Sequence, residues 1–259
     1  MAIHPTAVVD AAATVHPTSE IGPYAIVGPF VTIGPRTTVG AHAVLEGPTT
    51  LGEGNRIHPH AALGGAPQDL KYKGEPTTLV IGNRNVFREF STAHRGTMTG
   101  HATTVIGDDN LFMAYTHVAH DCVVGNRTVF ANGASLAGHC VIEDDVILGA
   151  FVGVRQFLRI GRFAFLGAFT AVNKDVLPFC WTSSDREVKA WKVNSVGLSR
   201  KGYSDERVKA LQKAYRALHR HRHDHKALLA VLADLSAASE DVKYLHDFVA
   251  ESTQGVHGA

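Results

Sequence analysis

The sequence predicts a mainly β chain: a solenoid of short parallel strands, closed at its C-terminal end by a small α-helical domain. Three observations predict it. Aliphatic or aromatic side chains recur at every sixth position. Glycine often follows them directly, and a small side chain sits four places on. Past Ser204 the apolar spacing changes to that of a helix.

The sixfold step reads Ile3, Val9, Val15, Ile21, Val27, Ile33, Val39, Leu45, Leu51, Ile57 and Leu63. Ile81 and Phe87 continue it, and a second unbroken run extends from Ile106 through Phe112, Val118 and Val124 to Val172. With a hydrophobic content of 45%, chance would fill only about half of such positions. Gly22, Gly28, Gly34 and Gly40 illustrate the second feature, and Ala25, Thr37, Cys122 and Ala134 the third. Such a unit reads as a short strand with one large inward side chain, then a turn with a small one. The glycine is expected to supply the positive φ of the turn. One six-residue strand cannot bury its own face, so the units must stack. Three of them closing a triangle give a coil of about 18 residues, with strands about 4.8 Å apart. An amphipathic helix would need a period near 3.6, and glycine and proline at this density oppose it.

Composition narrows the function classes. The 259 residues are 19% charged, with 25 Lys and Arg against 24 Asp and Glu, a formal charge of +1. No nucleic-acid partner is expected from that balance, although local basic patches are compatible with it. The opening MAIHPTAVVD has no basic or apolar leader region, and no apolar run is long enough for a membrane span. Three scattered cysteines do not make a disulfide framework, and Cys122 and Cys140, 18 apart, are expected as stacked inward thiols. The chain is expected in the cytoplasm.

Two interruptions break the repeat. GGAPQDLKYKGEPTTLV does not fit the pattern and predicts a loop near 64–80. Around HRGTMTGHATT the frame slips by one residue, which predicts a second near 94–105. Loops that interrupt a rigid repeat tend to carry function. The repeat is placed over 1–178 and a linker with the helical domain over 179–259. Ser204 reads as an N-cap with Asp205 and Glu206 in the first turn. Val208, Leu211, Tyr215 and Leu218 form one stripe; Leu228, Leu229, Leu232 and Leu235 a second; Val242, Leu245 and Val249 a third. These helices would cover the open edge of the last coil. HRHRHDHK (His219 to Lys226) reads as a solvated helix end or turn, and Cys180 and Trp181 carry no assignment.

An 18-residue coil places His120 on Gly138 and then on Gln156, with His139 and Arg155 alongside. His117 and Asp121 flank the same point. A neutral imidazole can take a proton from a hydroxyl, a carboxylate can orient the ring, and a backbone N–H can stabilise an oxyanion. These could instead be ordinary solvated turn histidines. A zinc reading would use His94, His117 and His120. Hexapeptide-repeat carbonic anhydrases space their last two ligands five apart, but five after His117 comes the inward Cys122, which disfavours that reading.

The repeat resembles that of the hexapeptide-repeat transferases, whose fold is a left-handed parallel β-helix; the hand comes from the resemblance. QDLKYKGEPT, HRGT, HVAHDCVVGN, LAGH and NSVGLSRKG, in this order, are similar to the UDP-N-acetylglucosamine 3-O-acyltransferase family over nearly the whole chain. That resemblance implies a left-handed parallel β-helix of hexapeptide repeats with a C-terminal α-helical domain, assembled as a homotrimer with sites between subunits. It implies transfer of a 3-hydroxyacyl group from acyl carrier protein to the 3-hydroxyl of UDP-N-acetylglucosamine, the first step of lipid A synthesis, with no covalent acyl-enzyme, metal or cofactor. By motif position His120 would be the general base, Asp121 its partner and Gly138 the oxyanion donor. Gln68, Asp69, Lys71, His117, His139 and Gln156 would line the sugar and pantetheine site. Asn194 and Arg200 would hold the nucleotide. Phe165 and Ala168 fall where acyl length is set, and Ala168 in place of glycine implies a chain near ten to twelve carbons (roughly, by the volume of a methyl group). Arg216 and Arg220 are candidates for docking the acidic carrier protein. The chain departs from the family at Arg155 (usually His), Val196 (usually Glu), Lys201 (usually Arg) and TSSDREVKAWK. Two alternatives therefore stay open: transfer to a 3-amino sugar nucleotide, and a non-catalytic trimeric scaffold.

Overall fold

The computed structural model describes residues 2–182 and 190–257. Strands of two to four residues form three parallel sheets, which make the three faces of a prism. The first face begins with Ala2–Ile3 and Glu20–Ile21, the second with Val8–Val9 and Ile26–Val27, and the third with Thr14–Val15 and Val31–Ile33. Pairing is in register, Ile3 on Ile21 and Ile21 on Val39. Each large inward side chain therefore rests on its counterpart one coil away. Ile21, Val27, Ile33, Val39, Leu45 and Leu51 are all buried, as are the small inward residues Ala25, Thr37, Cys122 and Ala134. Cys122, Cys140 and Cys180 are buried free thiols.

On the first face the column widens into stacked rings. Phe87 lies 4.6 Å from Phe112, and Phe112 lies 4.8 Å from Phe130, centroid to centroid. All three are fully buried. Phe112→Ala would leave a ring-sized void between coils and is expected to cost about 3–5 kcal/mol in a chemical denaturation experiment. A loss below about 1 kcal/mol would mean that the adjoining coils collapse into the space.

The glycine expectation needs correction. The repeating glycines do not take positive φ; the residues two places on do, namely Tyr24, Phe30, Arg36 and His42, at 52–58°. These strained turns are held by bonds to the coil below, such as His42 N–H to the Pro23 carbonyl at 3.1 Å. The glycines are needed for a different reason, since backbone passes directly over them. A Cβ on Gly34 would stand 2.6 Å from the Gly52 carbonyl oxygen.

Both interruptions leave the prism at one corner, between the second and third faces. The first separates Ala62–Gly65 from Thr78–Ile81 and the second separates Thr92–His94 from Thr103–Ile106. The strands on either side stay paired with their neighbours. The loops are thus additions to an unbroken scaffold.

Beyond the last coil come α1 (Ser195–Arg200), α2 (Asp205–Arg220), α3 (His225–Ser236) and α4 (Glu240–Glu251). Ser204 caps α2 as the sequence predicts, accepting from Arg207 N–H. Leu211, Tyr215, Leu218, Leu228, Leu232, Val242, Leu245 and Val249 are buried, while Val208, Leu229 and Leu235 pack at the margin. The helices cover the end of the prism through specific ties. The Tyr215 hydroxyl donates to the Pro178 carbonyl at 2.6 Å, and Arg159 bridges Glu143 and Glu251. The histidine-rich run ends α2, turns, and starts α3 from an Asp224 cap. Three elements went unforeseen: the parallel strand Cys180–Thr182, which continues the first face past residue 178, the antiparallel strand Ala190–Val193, and α1. None is long enough to show a period. Asn194 starts α1 by accepting from Gly197 N–H at 3.1 Å. Residues 183–189 of the divergent TSSDREVKAWK stretch lie outside the described residues.

Candidate active site

His120 and Asp121 follow the strand His117–Val118 at the corner that carries both loops. Asp121 is one of the turn residues with positive φ, 59°, which turns its carboxylate back toward its neighbour. His120 Nδ1 lies 2.8 Å from Asp121 Oδ2. Opposite an ionised carboxylate that nitrogen carries the proton, leaving Nε2 free to accept one. The ring lies against Gly138 of the next coil, where a Cβ would stand 2.5 Å from Cε1 and 2.7 Å from Nε2. The sequence expectation of His120 stacked on Gly138 therefore holds at atomic detail. Among the described residues, the Gly138 N–H donates to no backbone or side-chain acceptor.

The Asp121 side chain is wholly excluded from solvent. Burial alone would raise its pKa. Hydrogen bonds from the Thr97 hydroxyl (2.7 Å), His120 and the Thr97 N–H outweigh that and hold it below the ordinary aspartate value. His101 N–H donates to the other oxygen at 2.9 Å. The Thr97 and His101 donors come from the second loop, and Gly100 passes so close that its Cβ would touch the carboxylate. Thr97, Gly100 and His101 carried no role in the sequence reading. Their sole signals were the HRGT motif and the one-residue slip.

Around the pair the structure gathers more of the expected residues. His139 crosses the His120 ring edge-on at 5.0 Å and stacks on Phe157 at 4.5 Å. Burial lowers its pKa, and the charges of Asp121 and Asp69 oppose that effect. His117 accepts from or donates to Thr92 Oγ1 at 2.7 Å and meets His94 edge-on. Burial pushes the pKa of both rings down, that of His94 to about 4, with His117 and His120 adding to the effect. At neutral pH His94, His117 and His139 are therefore neutral imidazoles beside one buried carboxylate. Asp69 and Lys71 sit on the first loop, which meets the second at a small hollow shared with Thr97 and Thr99. Gln68, Lys71 and Gln156 are exposed. Arg155, the departure from the family histidine, reaches Gln254 at 3.3 Å.

Asn194, Arg200 and Phe165 are elsewhere. They line a cavity of about 430 Å³ with Trp181 and Val196 on the outside of the first face. The His120 corner joins the second and third faces, so it lies across the prism from that cavity. Ala168 is at the corner between the first and second faces. One chain therefore holds the expected site in two separated halves. Trp181, unassigned from sequence, packs against Phe165 at 6.5 Å and belongs to the second half.

A metal set can be drawn from His120, Asp121 and His139, whose ligand atoms lie within 4.8 Å of one another. It is not the His94, His117 and His120 set considered from sequence. Both Asp121 oxygens already accept from Thr97, His101 and His120. A cation there would have to displace these donors.

Stacked six-residue turns with a histidine–aspartate pair at a corner define a hexapeptide-repeat transferase. The family described as bacterial transferase hexapeptide (six repeats) matches residues 103–138, and that of the second domain of UDP N-acetylglucosamine O-acyltransferase matches residues 175–257. A protein of Verminephrobacter eiseniae named acyl-(acyl-carrier-protein)–UDP-N-acetylglucosamine O-acyltransferase is 50% identical over 98% of both chains. One of the same name from Stenotrophomonas maltophilia is 47% identical over 95% of this chain and 94% of its own. Among solved structures, the UDP-N-acetylglucosamine acyltransferase of Francisella novicida superposes with a TM-score of 0.96 at 33% identity, covering 98% of this chain and 93% of that one. LpxA of Acinetobacter baumannii gives 0.95 at 38% identity, covering 98% and 99%. The chain belongs to the acyl-(acyl-carrier-protein)–UDP-N-acetylglucosamine O-acyltransferase family, and its coils form the left-handed β-helix of that family.

Proposed function

We propose that this protein transfers a 3-hydroxyacyl group from acyl carrier protein to the 3-hydroxyl of UDP-N-acetylglucosamine, opening lipid A synthesis. The observation that carries the reading is the His120 ring, held by Asp121 at Nδ1 and lying over Gly138 with Nε2 free. As the sugar hydroxyl attacks the thioester carbonyl, Nε2 takes its proton and Asp121 stabilises the imidazolium. The carbonyl oxygen becomes an oxyanion, which can accept a hydrogen bond from the Gly138 N–H. Collapse expels the pantetheine thiolate, and the imidazolium returns the proton to that sulfur. The sugar oxygen is itself the nucleophile, so no acyl-enzyme forms. Asn194 and Arg200 would hold the uridine diphosphate, and Phe165 and Ala168 would limit the acyl chain. Arg216 and Arg220, exposed one turn apart on α2, suit an acidic carrier. Among the described residues, no helix is long and apolar enough to cross a membrane.

The direct test incubates the protein with UDP-N-acetylglucosamine, or its 3-amino analogue, and a panel of 3-hydroxyacyl carrier proteins. Mass spectrometry reads the products, and the reverse reaction runs alongside. Ester formation on the 3-hydroxyl supports the reading. Product solely with the amine would transfer it to the amide-forming alternative.

The separation of Asn194 and Arg200 from His120 supports a homotrimer in which one chain's first-face cavity completes its neighbour's corner. Mixing unfolded His120→Ala and Arg200→Ala chains and refolding them together should then restore activity. Random assembly would leave about a quarter of sites with both residues. Mixed trimers no more active than either parent would count against a shared site.

A further inference from the structure

The second loop does more than interrupt the repeat. Its Thr97 is buried and reaches Asp121 twice, through N–H at 3.0 Å and through the hydroxyl at 2.7 Å. That hydroxyl is itself set by Thr99 Oγ1 at 3.0 Å. The loop is pinned at its base: Gly96 N–H donates to the Thr78 carbonyl and Ala102 N–H to that of Thr97. Asp121 N–H in turn donates to Thr104 Oγ1 at 2.8 Å, where the chain rejoins the prism. Among the described residues, every donor to the carboxylate other than His120 thus comes from residues 95–102, between two regular strands.

We propose that Thr97 is a positioning residue, whose hydroxyl and N–H orient the Asp121 carboxylate so that Asp121 keeps the proton of His120 on Nδ1 and its Nε2 open to the substrate hydroxyl. The proposal rests on the acyl-transfer reading and deepens it. Without this loop, Asp121 would sit in a turn with one partner, and two orientations of its carboxylate would be open. With it, a single one satisfies Thr97, His101 and His120 together. Removing the hydroxyl leaves more of the carboxylate charge to act on His120, so the imidazolium is favoured and the base protonates at higher pH. The ionisable groups facing this cluster are His120, His139 and His101, with His117, His94 and Asp69 beyond them. A change at Thr97 removes none of these groups.

Thr97→Val removes the hydroxyl and keeps the shape, and Thr97→Ser keeps the hydroxyl. Thr97→Val is expected to lower kcat about tenfold to a hundredfold with KM for both substrates within about twofold, as loss of an outer partner of a reacting group does. The acid limb of the kcat profile should move to higher pH. Nitrogen-15 NMR of the His120 ring should show its titration moving the same way. Thr97→Ser should stay within about threefold of the parent with an unmoved limb. A Thr97→Val protein with parental kcat and an unmoved His120 titration would overturn the proposal. So would an equal loss in Thr97→Ser, or a loss confined to KM. The NMR arm needs no turnover. A His120 titration that moves in Thr97→Val while the parent protein acylates nothing would sink the assigned reaction and still support the positioning role.

Discussion

His120→Ala is expected to lower kcat by about a thousandfold or more, the upper part of the range for removing a general base. KM for the sugar nucleotide should stay within about threefold, because the nucleotide would be held from the opposite face by Asn194 and Arg200. The fold should survive. The side chain is partly exposed, so its loss opens a notch at the corner and no closed cavity. Asp121 also keeps its donors from Thr97 and His101, so no buried charge is stranded. Steady-state kinetics beside a thermal melt checks all of this. A loss below about tenfold in kcat would mean that another group, such as His139 or His117, takes the proton.

The second large effect comes from a single methyl group. Gly138→Ala would place a Cβ 2.5 Å from the His120 ring, closer than carbon atoms approach. The backbone cannot yield easily, because His139 N–H is tied to the His120 carbonyl at 3.0 Å and Phe157 N–H to the Gly138 carbonyl at 3.1 Å. The ring must therefore swing away and take Nε2 with it. A displacement of about 1 Å costs about a hundredfold in rate, and that is the expected minimum. Gly138 is outside the left-handed region, so alanine fits the local backbone and the melt should barely change. The double variant His120→Ala with Gly138→Ala should be no slower than His120→Ala alone, since the ring that clashes is gone. An additive loss would show that Gly138 acts through something other than the ring.

How much of this was legible depends on whether a feature repeats. Ile21, Val39 and Ile57 are buried in one column because the chain returns every 18 residues, and an uninterrupted sixfold spacing shows that directly. The same arithmetic put His120 over Gly138 and Cys122 beside Cys140. The helical tail was equally legible, since the stripes at Leu211, Leu228 and Val242 keep the 3.6 spacing and Ser204 marks a start. The turn glycines were placed correctly and explained wrongly. Their spacing is local, but the atom that excludes a Cβ belongs to the next coil.

By itself, then, the sequence determined the prism, its column of apolar side chains, the corner that holds His120 and Asp121, and the helical end. All of these follow from periodicity or from short-range caps, which a linear text records. The tertiary structure alone decided three things: that both loops leave at the His120 corner, that Thr97 and His101 close over Asp121, and that Asn194, Arg200 and Trp181 gather on the opposite face. Each joins residues separated by irregular chain, where no period carries the distance. Closing such loops is a matter of which contacts offset the entropy of ordering them, and those contacts exist only after the coils have stacked.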